Sequence, residues 1–549
     1  MIICASDPDE WNWCYFFTLN NEKKEINLMI SIDELTRQAV EDCIKDFSAN
    51  KQVPSTEIMR HEIYNRITAF VDRENLTRGK GRKLSLPDKL PNYAVAKLIY
   101  FTETVKIINM APFARNKYND LYIYNKKSGL YDICNKEHCE RLLETALQFR
   151  SMITSRDLGE ILNYLRVFSE TVTETCDPDR VIVANGIYSF KTCSLEPFSQ
   201  DYVATTKIAT AYNPNATNVI IKDDVHGDWN LESWIQSLSD DPEIIELLWQ
   251  IIAAVTRTNV RWNKALFFYS SKGNNGKGTF CEFLKNLVGK YNVAAIPIDA
   301  FSKNFMLTDM VGTVCIIADE VNVSSFSDDV SEFKAIVTAD PVIVNRKNIA
   351  PISISYKGLV IQCVNAFPRT TDRTESFYRR QLFVPFLKSF KDVENKSIKE
   401  DYLKRPEVLE YALKKTLEMP YFDSFKEPEA CKALLQDYKT ENDPIREFLE
   451  DVLPQLTWDL LPYEMLVDLY QKWYAKNVPN GKLPRPRTIR RSIMDIMTAD
   501  YFDQWECHED PISVGHLMDG RMNVLNEYGL DKWYMRCATT QRGIKRIKG

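Results

Sequence analysis

A chain of 549 residues is longer than one ordinary domain, and its length predicts three to four of them. With 44% hydrophobic and 27% charged residues it has the composition of a folded protein, and no window approaches the roughly 18 apolar residues of a membrane span. A formal net charge of −6 excludes a chain that is basic throughout, so any grip on nucleic acid must come from local patches. Thirteen scattered cysteines without a repeated spacing suit reduced thiols in a cytoplasmic compartment, and the start MIICASDPDEWNW lacks the layout of a secretory signal.

Residues 30–73 carry helical periodicity through Leu35, Ala39, Val40, Cys43 and Ile44, then Ile58, Ile63, Ile67 and Phe70. The polar stretch ENLTRGKGRKLSLPDKL (74–90) reads as a boundary. DLYIYNKKSGLYD (120–132) predicts two short strands around a turn. VIVANGIYSF (181–190) predicts another pair, with Asn185-Gly186 as the turn signal. CNKEHC (134–139) offers Cys134, His138 and Cys139, more simply incidental than a metal site. From 229 to 256 the pattern is helical, with DDP at 240–242 as a helix start.

Beyond residue 262 the texture becomes strand, loop, helix. ALFFYS (265–270), TVCIIAD (313–319) and LVIQCVN (359–365) are apolar runs whose starts lie 48 and 46 residues apart. Continuous apolar strands separated by helical stretches predict a parallel sheet covered on both faces. After 390 the chain reads as mostly helical to 450. It then reads as a helix over 464–476, a Pro-broken loop, and a basic helix from about Arg487 to Met497. Basic runs occur at KLPRPRTIRR (482–491) and QRGIKRIKG (541–549).

Between the first of those strands and the next helix stands SKGNNGKGT (271–279). Gly273, Asn274, Asn275 and Gly276 all tolerate left-handed backbone, so the loop can turn successive N–H groups inward around phosphate oxygens. Lys277 adds a mobile charge, and the following helix adds its positive end. Against the pattern G-x-x-x-x-G-K-[ST], Ser271 replaces the first glycine and Gly278 replaces the hydroxyl after the lysine.

TVCIIADE ends in Asp319-Glu320, 42 residues after Lys277. A carboxylate at that strand end can hold Mg²⁺ opposite the phosphates, and Glu320 beside it can polarise an attacking water. LVIQCVN ends in Asn365, which can hold that water, sense the terminal phosphate, or simply cap a turn. Tyr378-Arg379-Arg380 leads into the apolar run QLFVPF. Two such arginines are awkward to bury, and at least one must face a phosphate, a carboxylate or water. VIV and ISISY flank NRKNIAP, which puts Arg346 and Lys347 near the tip of a hairpin suited to gripping a DNA backbone.

The ordered set G-x-N-G-K-G-T-F, apolar strand-D-E, K-x-x-x-T-A-D-P, strand-N-x-x-P-R, then RR before an apolar strand resembles a superfamily 3 helicase of the AAA+ class. In particular it is similar to the helicase regions of the phage and plasmid primase family and of poxvirus-type primase-helicases. NGIYSFKTCSLEPFSQDYVATTKIATAYNP (185–214) is similar to the domain preceding the helicase in that family, and the resemblance covers about 120–450.

The family's loop pattern is matched by Gly273, Asn275, Gly276, Lys277 and Thr279, which makes Thr279 the nearest hydroxyl to the metal, one residue out of register. The resemblance implies ATP with Mg²⁺, a ring (hexameric), and Arg379 or Arg380 reaching a neighbouring subunit's nucleotide. It implies a channel-lining hairpin, with Lys334 and Asp340 coupling it to the nucleotide site, and 3′→5′ movement on single-stranded DNA. A module for duplex DNA is implied at the C-terminus, with Arg487, Arg490 and Arg491 on its DNA-facing helix.

The expected fold is α/β: an AAA+-type P-loop domain with a mixed α+β N-terminal region and a winged-helix-like C-terminal domain. Expected boundaries are 1–115, mostly helical; 116–228, α+β; 229–400, helical collar plus helicase core; 401–448, helical; and 449–549, DNA-binding. No primase motif stands in the first 115 residues, so a separate primase or host replication proteins are expected partners. The expected activity is that of a replication-initiation helicase of a phage, plasmid or mobile island, in a bacterial host's cytoplasm. Two alternatives stand beside it: an origin-binding initiator whose ATPase controls assembly without unwinding, and an AAA+ remodeller that does not act on nucleic acid.

Overall fold

The computed structural model describes residues 30–50, 53–111, 119–134, 140–149, 154–319, 326–327, 329–370, 372–477, 483–534 and 539–547. It divides into two compact units, one of residues 1–103 with 139–168 and one of 104–138 with 169–549.

The first unit is helical: Ile32–Ala49, Thr56–Asn75, Asn92–Thr102, Glu140–Phe149 and Ser155–Phe168. Ser31 and Ser55 cap the first two helices, their Oγ atoms accepting from the N–H groups of Glu34 and Ile58. Apolar residues at helical spacing (Leu35, Ala39, Val40, Cys43; Met59, Ile63, Ile67) are buried, as their periodicity requires. The polar stretch expected as a boundary instead connects two helices of this same unit. The Asn75 side chain closes it, donating to Leu84 O at 2.9 Å and accepting from Leu84 N at 2.7 Å.

The second unit opens with a four-stranded sheet in the order 130–133, 120–125, 105–109, 171–173, followed by the meander Arg180–Val183, Gly186–Ser189 and Ser194–Glu196. The meander's first turn falls on Ala184 and Asn185, because Val183 pairs with Gly186. Gly186 is needed there for close approach rather than for turning. A Cβ on it would stand 2.6 Å from the Glu196 carbonyl oxygen.

At the centre lies a five-stranded, all-parallel sheet, whose strands are numbered here in chain order: β1 Ala265–Tyr269, β2 Val293–Ala294, β3 Cys315–Ala318, β4 Leu359–Val364 and β5 Gln381–Pro385. Their spatial order is β5-β1-β4-β3-β2. Alternate residues feed two cores: Leu266, Phe268, Ile361 and Cys363 enter one, while Ala265, Phe267, Val360 and Val364 enter the other. Both faces are therefore covered, which is why the strands read as unbroken apolar runs. β3, β4 and β1 lie where the sequence predicted strands. The two-residue β2 is too short to leave a periodic signal.

A two-stranded antiparallel hairpin, Pro341–Arg346 with Ile349–Ser355, stands apart from this sheet and turns at Lys347-Asn348. The C-terminal part runs helix Pro444–Val452, strand Leu460–Pro462, helices Tyr463–Asn477 and Pro486–Asp500, then strands Trp505–Ser513 and Thr540–Arg546. The last strand is central in an antiparallel sheet of three. This part has its own core around Phe448, Leu466, Trp473, Ile489, Ile493 and Trp533. Among the described residues no helix is long and apolar enough to cross a membrane, and the thiols of Cys43, Cys281, Cys315, Cys363 and Cys431 are buried.

Candidate active site

Leaving β1, the chain turns through 270–276 and enters the helix Lys277–Val288, here the loop helix. The turn is made by left-handed backbone at Asn274 (φ 52°) and Gly276 (φ 86°), the latter capping the helix. Gly276 also admits a close approach, since a Cβ there would stand 2.9 Å from Leu238 Cδ2. Asn275 is buried and staples the loop to itself: its Oδ1 accepts from Lys277 N at 3.1 Å, and its Nδ2 donates to Lys272 O. Phe390 N donates to Asn274 O at 2.7 Å, anchoring the loop from outside.

Lys277 begins the helix and is itself buried. Its Nζ donates to Val364 O at 2.8 Å, to Asn365 Oδ1 at 2.7 Å and to Ser270 O at 3.3 Å. Burial holds its pKa below the usual lysine range, so an anion there would be favoured. Two residues 88 positions apart, Lys277 and Asn365, are thus in direct contact at the carboxyl edge of the sheet. Asn274, Gly276, Gly278 and Thr279 form one wall of a cleft of about 750 Å³, faced by Trp229, Trp234 and Phe390. Thr279 therefore reaches the cleft despite its register.

Asp319 follows β3 at the same edge and is exposed. Its carboxylate is ion-paired with Lys285 of the loop helix, so a magnesium ion at this position must displace that lysine or share the carboxylate with it. Cys281 and Cys363 lie beside this acid, with sulfurs 3.2 Å apart and the Asp319 carboxylate within 4.8 Å. Lys277, Cys281 and Lys285 are spaced by four and so share one face of the helix. That spacing was legible in the sequence and could have marked Lys285 as a partner of the acid. Glu320, the expected water-polarising acid, lies outside the described residues, as do His138 and Cys139.

The arginines lie elsewhere. Arg379 and Arg380 end the short helix Glu375–Tyr378 and immediately precede β5. Ala265 N donates to Arg380 O at 2.7 Å, which sets the pair at the amino edge of the sheet. The five residues of parallel β1 separate that edge from the loop, roughly 16 Å at the usual strand rise. Arg379 is exposed, whereas Arg380 donates to Ser376 O and, at 2.8 Å, to Ser376 Oγ.

Of the residues expected to touch DNA, Lys347 is exposed at the hairpin tip, but Arg346 is turned inward. Its Nη1 donates to Asp120 Oδ2 at 2.5 Å and its Nε to Ala350 O at 3.0 Å, so its charge is spent inside the protein. Lys334 is likewise paired, with Asp372 at 2.6 Å. Asp340 accepts from Thr338 Oγ1 at 2.6 Å and acts electrostatically on Arg380. The base of the hairpin is thus tied to the arginine segment. On the helix Pro486–Asp500, Arg487 and Arg491 are exposed, and Arg490 lies over the Tyr463 ring at 4.7 Å.

Residues 114–248 match a family described as D5 N terminal like, and residues 268–380 match a family of unknown function, DUF5906. No curated protein matches the chain. Among solved structures the chain is similar to the apo structure of the NrS-1 C terminal region (305–718). That likeness has a TM-score of 0.42 at 13% identity and covers 83% of this chain and 99% of the other. A second, the A form of the same region, gives 0.41 at 14% identity, covering 79% and 98%.

Proposed function

We propose that the chain is an ATP-driven DNA helicase that works as a ring, hexameric and 3′→5′, in replication initiation of a phage, plasmid or mobile island in a host cytoplasm. The observation that carries this reading is the contact of Lys277, at the start of a helix behind a left-handed loop, with Asn365. Both stand at the carboxyl edge of a parallel sheet, where such sheets bind ligands, with Asp319 on the strand beside β4. The D5 N-terminal-like match supports it too, because it spans the 185–214 stretch that carries the resemblance to this helicase class.

In this reading the loop backbone and Lys277 hold the phosphates, and Asn365 keeps the lysine aimed while orienting the attacking water. Thr279 and Asp319 would hold magnesium, which when bound offsets charge on the phosphates. Glu320 is the group that takes the water's proton. Arg379, exposed at the far edge of the sheet, is suited to a neighbouring subunit's nucleotide, and Arg380 to bracing it. Lys347 at the hairpin tip touches the strand being moved. Lys334 and Arg346 serve the hairpin by ion pairs. Over 444–546 the order is helix, strand, helix, helix, strand, short helix, strand, which supports the reading of a winged-helix-like module, with Arg487 and Arg491 exposed on the helix Pro486–Asp500.

Those exposed arginines also favour a second reading, an origin-binding initiator whose ATPase drives assembly alone. Strand displacement by the wild type, lost in Lys277→Ala while duplex binding survives, decides for the helicase. Duplex binding and ATPase with no displacement on any forked substrate decides for the initiator. ATPase indifferent to single-stranded DNA, with no DNA binding, would refute both.

A further inference from the structure

The segment Asp372–Arg380 carries the arginine pair and is held from two sides. On the hairpin side Lys334 pairs with Asp372 at 2.6 Å. On the C-terminal side Arg373 pairs with Asp443 at 3.6 Å, and Lys439 and Arg446 both pair with Glu375, at 3.1 and 2.8 Å. Arg446 is the unusual member. It belongs to the helix Pro444–Val452, whose apolar side enters the core of the C-terminal part, and its own side chain is only 4% exposed. One of its terminal nitrogens serves Glu375, three residues before Tyr378. The other serves Asp500, the last residue of the basic helix Pro486–Asp500.

A buried guanidinium shared in this way links the elements that hold its two carboxylates. If either carboxylate moves off, a charge is left buried without compensation, so the three elements move together or the ion pairs break. The Nε of Arg446 is already buried without a partner among the described residues, so losing either carboxylate adds to a desolvation cost that is only partly met. Neither Glu375 nor Asp500 is itself in the nucleotide or DNA machinery.

We propose that Arg446 is a positioning residue that couples DNA engaged by the Pro486–Asp500 helix to the setting of Arg379 and Arg380. The inference rests on the reading of those arginines and of that helix given above. DNA pulling on the helix moves Asp500, Arg446 carries the shift to Glu375, and the short helix Glu375–Tyr378 re-aims the arginines at the neighbouring subunit. The same segment is tied through Asp372 and Lys334 to the base of the hairpin, so both DNA-facing elements converge on it.

The test compares wild type, Arg446→Met, Glu375→Gln and Asp500→Asn as full-length chains. It measures ATPase without DNA, ATPase with saturating forked DNA, and duplex affinity. In Glu375→Gln and Asp500→Asn, which keep shape and volume, ATPase without DNA and duplex affinity should stay within about twofold of wild type. Stimulation by DNA should fall roughly fivefold or more, the low end of ordinary coupling between sites. Arg446→Met should lose at least as much, and the double variant Glu375→Gln/Asp500→Asn no more than the larger single loss, as for one shared link. Full stimulation in both conservative variants overturns the proposal, as does an equal loss of activity with and without DNA, the mark of a merely structural role. A wild type that hydrolyses no ATP, or binds no DNA, sinks the functional reading itself, and a wild type stimulated normally beside normal variants sinks only the coupling.

Discussion

The two edges of the central sheet are built on opposite principles. At the carboxyl edge, Lys277, Asn365 and Asp319 gather within one chain and each is paired: lysine on asparagine, acid on Lys285. At the amino edge, Arg379 and Arg380 lie a full strand length away, with Arg379 exposed and its neighbour's guanidinium bonded to Ser376. One edge gathers a buried lysine, an asparagine and an acid, and the other displays an exposed arginine a strand's length away. On the proposed reading, a sheet with its ligands on one edge and its arginines on the other forms a complete site only when two copies meet.

The largest expected effect lies at the self-contained edge. Lys277→Ala reduces ATP hydrolysis to the level of a no-enzyme control. Lys277→Met, which keeps the aliphatic stem, does the same and yet melts no earlier than wild type in a thermal scan. The sign follows from burial. Burial lowers the Lys277 pKa, so the folded chain binds that proton less tightly than the unfolded one. The charged lysine therefore costs stability at neutral pH, a cost that fades as pH rises through the depressed pKa. Early melting of Lys277→Met would break the view that this lysine is kept for function.

Next comes the other edge. Arg379→Ala loses about 10³-fold in rate, and mixing it with Lys277→Ala subunits restores part of it, because one of the two orientations of a mixed interface joins an intact lysine to an intact arginine. Arg380→Ala mainly costs stability, about 1 kcal/mol by denaturant unfolding, for its lost bonds to Ser376. Absence of recovery at every mixing ratio would make the two edges independent.

Gly276→Ala tests the loop itself. A left-handed alanine facing Leu238 should lower stability by about 1–2 kcal/mol and weaken binding of a fluorescent ATP analogue. The smallest effects concern the displaced hydroxyl. Thr279→Ala should raise the magnesium concentration for half-maximal ATPase roughly tenfold. Adding Gly278→Ser should reverse this, since a Cβ at 278 meets nothing within 4 Å. If Thr279→Ala leaves the magnesium dependence unchanged, the loop does without a metal-bound hydroxyl.

Much of this was legible in the residues. The apolar runs at 265, 313 and 359 are parallel strands because a sheet covered on both faces needs no polar alternation, and the hairpin lies where NRKN marks a tip. Legibility failed wherever a side chain's partner is distant in the chain. Arg346 looked free at a tip but belongs to Asp120, 226 residues away, and Lys334 belongs to Asp372. The polar 74–90 stretch looked like a boundary because composition cannot distinguish an interdomain linker from a loop that an asparagine closes.

The sequence by itself determined the local pieces: the left-handed loop with its lysine, the order of strands, the basic helix, and the pair of arginines before β5. These depend on backbone preference and periodicity within a few residues. Only the tertiary structure decided which charges face each other. It set Lys277 on Asn365, drew Lys285 onto Asp319, put the arginines at the opposite edge, and buried Arg446 between Glu375 and Asp500. The physical reason is that an ion pair depends on distance in space and on burial, and neither is written in the spacing of the residues that form it.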